Sequence, residues 1–221
     1  MKNANTQNEN EEHQLHRALG NVLSGFKKTP EIEIILAPEC SDVKCKNQQK
    51  ISLFINELEN EEVKNQKDSN RKKSRKTAIC NVDAMIIKDE KIRIIIEIEE
   101  KTAKNPTQIC GKYLTSNLAE YYANKGKNGR EIDIKKSSVL FIQIVDTKSF
   151  DAEKSSKSKQ FDNIEKAINN LIQVAKTARL EYGCIKEYKL IKIDGKLLSK
   201  DNDKLFEKFK NIIESEINRA Q

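Results

Sequence analysis

The stretch from Ala78 to Lys101, AICNVDAMIIKDEKIRIIIEIEEK, decides the fold. Asn81 to Ile87 and Lys91 to Ile98 are rich in Val and Ile, and the polar Lys88-Asp89-Glu90 between them suits a hairpin, so two adjacent antiparallel strands are expected. Strand side chains alternate with a period of two. Glu97, Glu99 and Lys101 therefore share one face, while Ile96, Ile98 and Glu100 take the other. Asp83, on the preceding strand, can meet the first face, because directly opposed Cβ atoms sit ~5 Å apart. Three carboxylates and an amine would then converge on one spot. Such a group costs too much in a sheet to be there for packing alone.

Like charges packed so closely shift their pKa values or recruit a cation. A hard divalent metal with oxygen ligands, Mg²⁺ first and Mn²⁺ as a substitute, suits one or two carboxylates together with substrate phosphate oxygens. Phosphodiester hydrolysis is the chemistry this combination serves.

An Asp near the end of one strand, a spacer, and an apolar strand ending in Glu-x-Glu or Glu-x-Lys resembles the PD-(D/E)XK nuclease superfamily, which includes the type II restriction endonucleases. The matching residues are Asp83, then Ile94-Ile95-Ile96-Glu97-Ile98-Glu99, followed by Pro106 and a helix opening around Thr107. The resemblance covers residues 78 to 124 and extends to the rest of the chain through the order of elements. Val82 stands where the name-giving proline would be, and Glu99 where the usual lysine would be. Restriction enzymes with a carboxylate at that second position are similar in this respect.

Two registers follow from the resemblance. In the first, favoured because the Ile94 to Ile96 run leads straight into it, Asp83 and Glu97 bind the metal, with the carbonyl of Ile98, and Glu99 orients or deprotonates the water or binds a second ion. In the second, Glu99 is the metal ligand, Lys101 the family lysine, and Glu97 an additional carboxylate deeper in the strand. Lys112, on the following helix, could swing toward the site and replace the lysine. The bland alternative is a solvated strand edge, with Lys101 pairing to Glu97 or Glu99 for ~0–1 kcal/mol. The upstream Asp83, the Ile run and the element order together favour the site.

The 221 residues suffice for one sizeable core. A disordered polar tail over residues 1–10 is expected, then a single α/β domain over 11–221 with a restriction-endonuclease-like core, a central mixed β-sheet flanked by α-helices. With 5% aromatic residues and no Trp, Ile, Leu and Val must build that core. The formal net charge of +7 favours anionic partners, nucleic acid foremost. No segment approaches ~20 consecutive apolar residues and no signal peptide precedes the first helix, so no membrane partner and a cytoplasmic location are expected. Five scattered cysteines suit free thiols, and Cys40 with Cys45 lacks the second ligand pair of a zinc site. Without a P-loop, a dinucleotide fingerprint or a Ser-His-Asp set, no nucleotide cofactor is expected.

Between about 60 and 77 the apolar rhythm stops, and Arg71, Lys72, Lys73, Arg75 and Lys76 form a basic loop a few residues before Asp83. Such a run is often a solvated loop, but beside an acidic metal site it could hold a phosphate backbone, as could Lys112. His13 and His16 are three apart on an expected helix; they could touch one ligand, and a solvated face is the ordinary reading. That helix carries Leu15, Leu19, Val22 and Phe26. Strands at 32–36 and 51–55, a helix continuing over 57–62, and a helix marked by Ile109, Tyr113, Leu118 and Tyr122 ending near Gly126 are expected. A basic turn at 125–130, a buried strand at 139–145, a polar loop at 154–159, a helix through Phe161 and Ala175, a strand at 185–193 and a last helix from Leu205 complete the chain.

The expected function is a Mg²⁺-dependent endonuclease of double-stranded DNA, most like a type II restriction enzyme, working as a homodimer because the two strands are related by a two-fold axis. A nucleic-acid-binding module on an inactive nuclease-like scaffold, or a repair or RNA-processing nuclease, are the alternatives.

Overall fold

The computed structural model describes residues 13–26, 29–40, 50–56, 77–100, 105–123, 130–135, 137–147, 156–180, 183–193 and 202–219. The elements in chain order are α1 (Gln14–Ser24), β1 (Ile32–Leu36), a short 3₁₀ turn (Pro38–Cys40), β2 (Ile51–Phe54), β3 (Ala78–Val82), β4 (Ala84–Lys88) and β5 (Lys91–Glu99). They are followed by α2 (Pro106–Leu118), β6 (Tyr121–Ala123), β7 (Glu131–Asp133), β8 (Val139–Asp146), α3 (Ser156–Thr177), β9 (Ile185–Ile193) and α4 (Asn202–Asn218).

Five strands form a mixed sheet in the order β1-β4-β5-β8-β9. The β1/β4 and β4/β5 pairs are antiparallel, and β5/β8 and β8/β9 are parallel. The β4–β5 hairpin turns on Asp89 and Glu90 at φ 52° and 60°, a two-residue connection whose left-handed backbone matches the twist of the strands it joins. Its strands run apolar on both faces because helices cover both. Ile94, Ile96 and Ile98 meet Leu15 and Leu19 of α1 and Phe209 and Ile213 of α4. Ile95 and Phe141 meet Tyr113 of α2 and Phe161 and Ile168 of α3 on the other side. Glu97 and Glu99, in step with Ile95, consequently face α2, and Glu100 faces α1. A second, antiparallel sheet has the order β3-β2-β6-β7.

Helix α1 seats closely on the 3₁₀ turn: a Cβ added to Gly20 would lie 1.7 Å from the Cys40 carbonyl oxygen. Glycine is required there, and the contact fixes α1 beside the carboxyl end of β5. Helix α2 opens on Asn105, whose side chain accepts a hydrogen bond from Thr107 N–H at 3.0 Å, with Pro106 in the first turn where its missing N–H costs nothing.

Several expectations are corrected. Asn81 to Ile87 is not one strand: β3 belongs to the small sheet and β4 to the large one, and the chain changes sheets at Asp83. The apolar run continues across the break, although β3 exposes Ala78 and Asn81 while β4 is buried on both faces. Helix α2 stops at Leu118 instead of running to Gly126, since Ala119 is extended and Tyr121 and Tyr122 pair with Phe54 and Leu53 of β2. Stacking of Tyr121 on Phe54, at 5.3 Å between ring centroids, stabilises that strand, and Leu118 is left exposed. The polar segment expected as a loop at 154–159 is helical from Ser156 onward. The expected tail at 1–10, helix at 57–62 and Cys45 lie outside the described residues, as does all but Arg130 of the basic turn at 125–130.

Candidate active site

The sheet switch at Asp83 builds the site. Its backbone still pairs with β5, Asp83 N–H donating to Ile96 O at 3.1 Å, and Ala37 N–H donates to Asp83 O at 2.8 Å. Beyond that point β4's ladder has ended, and Asp83 Oδ2 accepts instead from Ile98 N–H at 2.7 Å. The aspartate thus lies beside the last turn of alternation on β5, next to Glu97.

Glu97 is fully buried and Glu99 nearly so. From α2, Lys112 Nζ donates to Glu97 Oε2 at 2.7 Å and lies 3.9 Å from Glu99 Oε1. Burial, followed by the charge of Asp83, pushes the Glu97 carboxyl well above the usual carboxylate range despite Lys112. Burial pulls the Lys112 ammonium toward a lower pKa, but Glu97 outweighs it and the net direction is upward, so the lysine stays charged. Glu97 Oε1 is buried and accepts no hydrogen bond among the described residues. Beside it in the parallel ladder, Gln143 pairs with Glu97 in register. Tyr188 Oη donates to Gln143 Oε1 at 2.9 Å, and Gln143 Nε2 is a buried donor with no acceptor among the described residues.

A second cluster lies across β5. Helix α1 begins at His13, whose φ of 67° and side chain give no cap; Glu100 Oε1 accepts from Leu15 N–H and, at 3.2 Å, from His16 N–H in its place. A carboxylate at a helix N-terminus satisfies orphan donors and meets the positive end of the dipole. His16 stands between two acids, Nε2 at 3.6 Å from Asp83 Oδ2 and Nδ1 at 3.4 Å from Glu100 Oε2. Burial lowers the His16 pKa, but Asp83 and Glu100 outweigh it and hold it at about 9. Reciprocally, both carboxyls are shifted upward by burial and downward, with the larger summed effect, chiefly by His16. His13, His16 and Glu100 each offer a ligand atom within 4.8 Å of the others, a mixed nitrogen and oxygen set that could hold a cation only by displacing the proton His16 carries.

The structure therefore brings Asp83, Glu97, Ile98, Glu99 and Lys112 together, while Lys101 and Arg71, Lys72, Lys73, Arg75 and Lys76 lie outside the described residues. The expectation of a solvated face is corrected for His16, which is 7% exposed because its face of α1 packs on the end of β5, while the His13 side chain keeps 41% of its surface exposed. Sequence reading also passed over Glu100 and Gln143 as site residues. Gln143 carried a signal, being the one polar residue in the Val139–Val145 run.

No family model matches the chain, and neither a curated protein nor a solved structure is significantly similar to it.

Proposed function

We propose that the protein is a divalent-metal-dependent endonuclease of double-stranded DNA, related in design to the PD-(D/E)XK nucleases and most like a sequence-specific type II restriction enzyme. The observation that carries this reading is the meeting of Asp83, Glu97 and Glu99 with the Lys112 ammonium at the carboxyl end of β5. A structural ion pair would need one acid per base. Here a buried carboxylate oxygen is left over on Glu97, beside another acid that raises its pKa.

The donor set fits Mg²⁺ or Mn²⁺: Asp83, Glu97 and Glu99 supply hard carboxylate oxygens, with the Ile98 carbonyl as a further donor. When bound, such an ion polarises the scissile phosphate and eases deprotonation of the attacking water. Glu99 would take that proton as the water oxygen bonds to phosphorus and the bond from phosphorus to the leaving strand breaks. Lys112, with its side chain 32% exposed, approaches both glutamates from the open side and offers its charge to the phosphate oxygens. His16 holds Asp83 ionised and in place. The basic run Arg71 to Lys76 supplies backbone contacts that position the duplex, and a cytoplasmic homodimer would present one site to each strand.

One observation favours a second reading, a nucleic-acid-binding scaffold without catalysis. Lys112 and His16 already neutralise part of the acidic cluster from within the chain. Incubating supercoiled plasmid and linear duplex with the protein plus Mg²⁺, Mn²⁺ or chelator separates the readings. Discrete, metal-dependent fragments are expected; intact DNA that shifts in a gel irrespective of chelator would establish the scaffold, and a metal-dependent smear a non-specific or repair nuclease.

A further inference from the structure

At the opposite end of the large sheet from Glu97, where the parallel strands begin, β5 carries a bulge. Ile86 pairs with Ile94 and Ile87 with Ile92, so Arg93 is the extra residue, facing no partner in β4. Bulges of this kind re-aim a side chain out of the regular alternation. Arg93 is only 4% exposed, and its Nε is buried with no hydrogen-bond acceptor among the described residues. A guanidinium nitrogen taken out of water without an acceptor is costly, and an anion that supplies the missing acceptor would relieve that cost.

The surroundings are built for that role. Arg93 lines a cavity of about 510 Å³ together with Lys91, Ser138, Lys176 and Lys186, contributed by β5, the residue before β8, the last turn of α3 and β9. The acids on its wall, Glu187 and Glu216, are both engaged by Arg219, at 3.3 and 3.4 Å, and neither forms an ion pair with Arg93. The lining therefore keeps an excess of positive charge, with a forked, always-charged and almost fully buried donor among its members. Such a fork matches the oxygens of a phosphate bidentately, and the volume lies in the range of small-molecule sites. Val139 and Leu140 provide an apolar wall for the rest of a ligand.

We propose that this cavity binds a phosphate-bearing small molecule, its phosphate held by Arg93 and the surrounding lysines. The proposal is independent of the nuclease reading, since it shares no residue with the site around Glu97.

The test is calorimetric titration of the full-length protein with inorganic phosphate and with a deoxynucleoside 5′-monophosphate, in buffer of constant ionic strength without divalent metal. Binding is expected for the wild type, weakened at least tenfold in Arg93→Gln and severalfold in Lys186→Gln. The latter changes a partly exposed side chain and keeps the proposal testable if the first variant misfolds. Equal affinity for the two probes would assign free phosphate as the ligand, and tighter binding of the nucleotide a nucleoside phosphate. Absence of saturable binding up to millimolar probe, or affinity unchanged in both variants, would overturn the proposal.

Discussion

Glu97→Gln should stabilise the metal-free protein while abolishing its activity. The native carboxylate is fully buried, has one oxygen without a hydrogen bond among the described residues, and feels the charges of Asp83 and Glu99. A buried group left unsatisfied costs about 1–3 kcal/mol, more when charged. The amide keeps the volume and an acceptor for Lys112, forfeiting about 1 kcal/mol of charge assistance from that 2.7 Å bond. Its NH₂ takes the place of the unsatisfied oxygen, so what the substitution removes is the buried charge, and the net gain is about 0–2 kcal/mol, or a rise in Tm of up to roughly 8 °C for a chain of this size. The pH dependence follows from the direction of the shift. Because the Glu97 carboxyl is raised in the folded state, the fold binds its proton more tightly than the unfolded chain does, and wild-type stability falls as pH climbs above the ordinary carboxylate range. The glutamine has no such loss, so the difference in Tm should be small near pH 5 and widen toward pH 8. Thermal melting of both proteins in chelator across that range measures it. A variant no more stable than wild type at any pH, or a gap that does not change with pH, would refute the reasoning.

Three further outcomes are expected. Lys112→Ala should slow DNA cleavage by at least ~100-fold, the scale of losing one aligned charge-stabilising donor, while Lys101→Ala stays within a few-fold; the reverse order in steady-state rates would select the Glu99-x-Lys101 register. His16, held at about 9 by Asp83 and Glu100 against its ordinary 6.5, contributes stability that is complete below pH 6.5 and lost between there and pH 9. Urea midpoints of wild type minus His16→Gln, in chelator, should therefore shrink across that window, and a constant difference would deny the ion-pair role. Gly20→Ala should cost about 1–3 kcal/mol in denaturant unfolding, because its methyl group would enter the Cys40 carbonyl 1.7 Å away and push α1 off the sheet.

The sheet and its acidic edge were legible because β5 states them locally. An unbroken Ile run forces a central strand, and the period of two puts Glu97 and Glu99 on one face and Glu100 on the other. Long helices α3 and α4 were equally plain from their apolar stripes. What sequence left hidden depends on partners distant along the chain. His16 reads as a surface residue until β5 places Glu100 against it, 84 positions away. Lys112 could be named but not preferred over Lys101, since only the packing of α2 brings its ammonium to Glu97. The sheet switch at Asp83 leaves no local mark, because Val and Ile run on from β3 into β4 with no Gly or Pro between them. Tyr122 sits at helical spacing from Leu118, and it took pairing with β2 to turn it into a strand.

The most direct measurement is cleavage of supercoiled plasmid in Mg²⁺ by wild type and Glu97→Gln purified side by side. Linear or fragmented product from the wild type, absent with chelator and absent in the variant at equal Tm or better, is the expected result. Equal cutting by both proteins, or none by a folded wild type in Mg²⁺ and Mn²⁺, would contradict the assignment of Asp83, Glu97, Glu99 and Lys112 as a nuclease site.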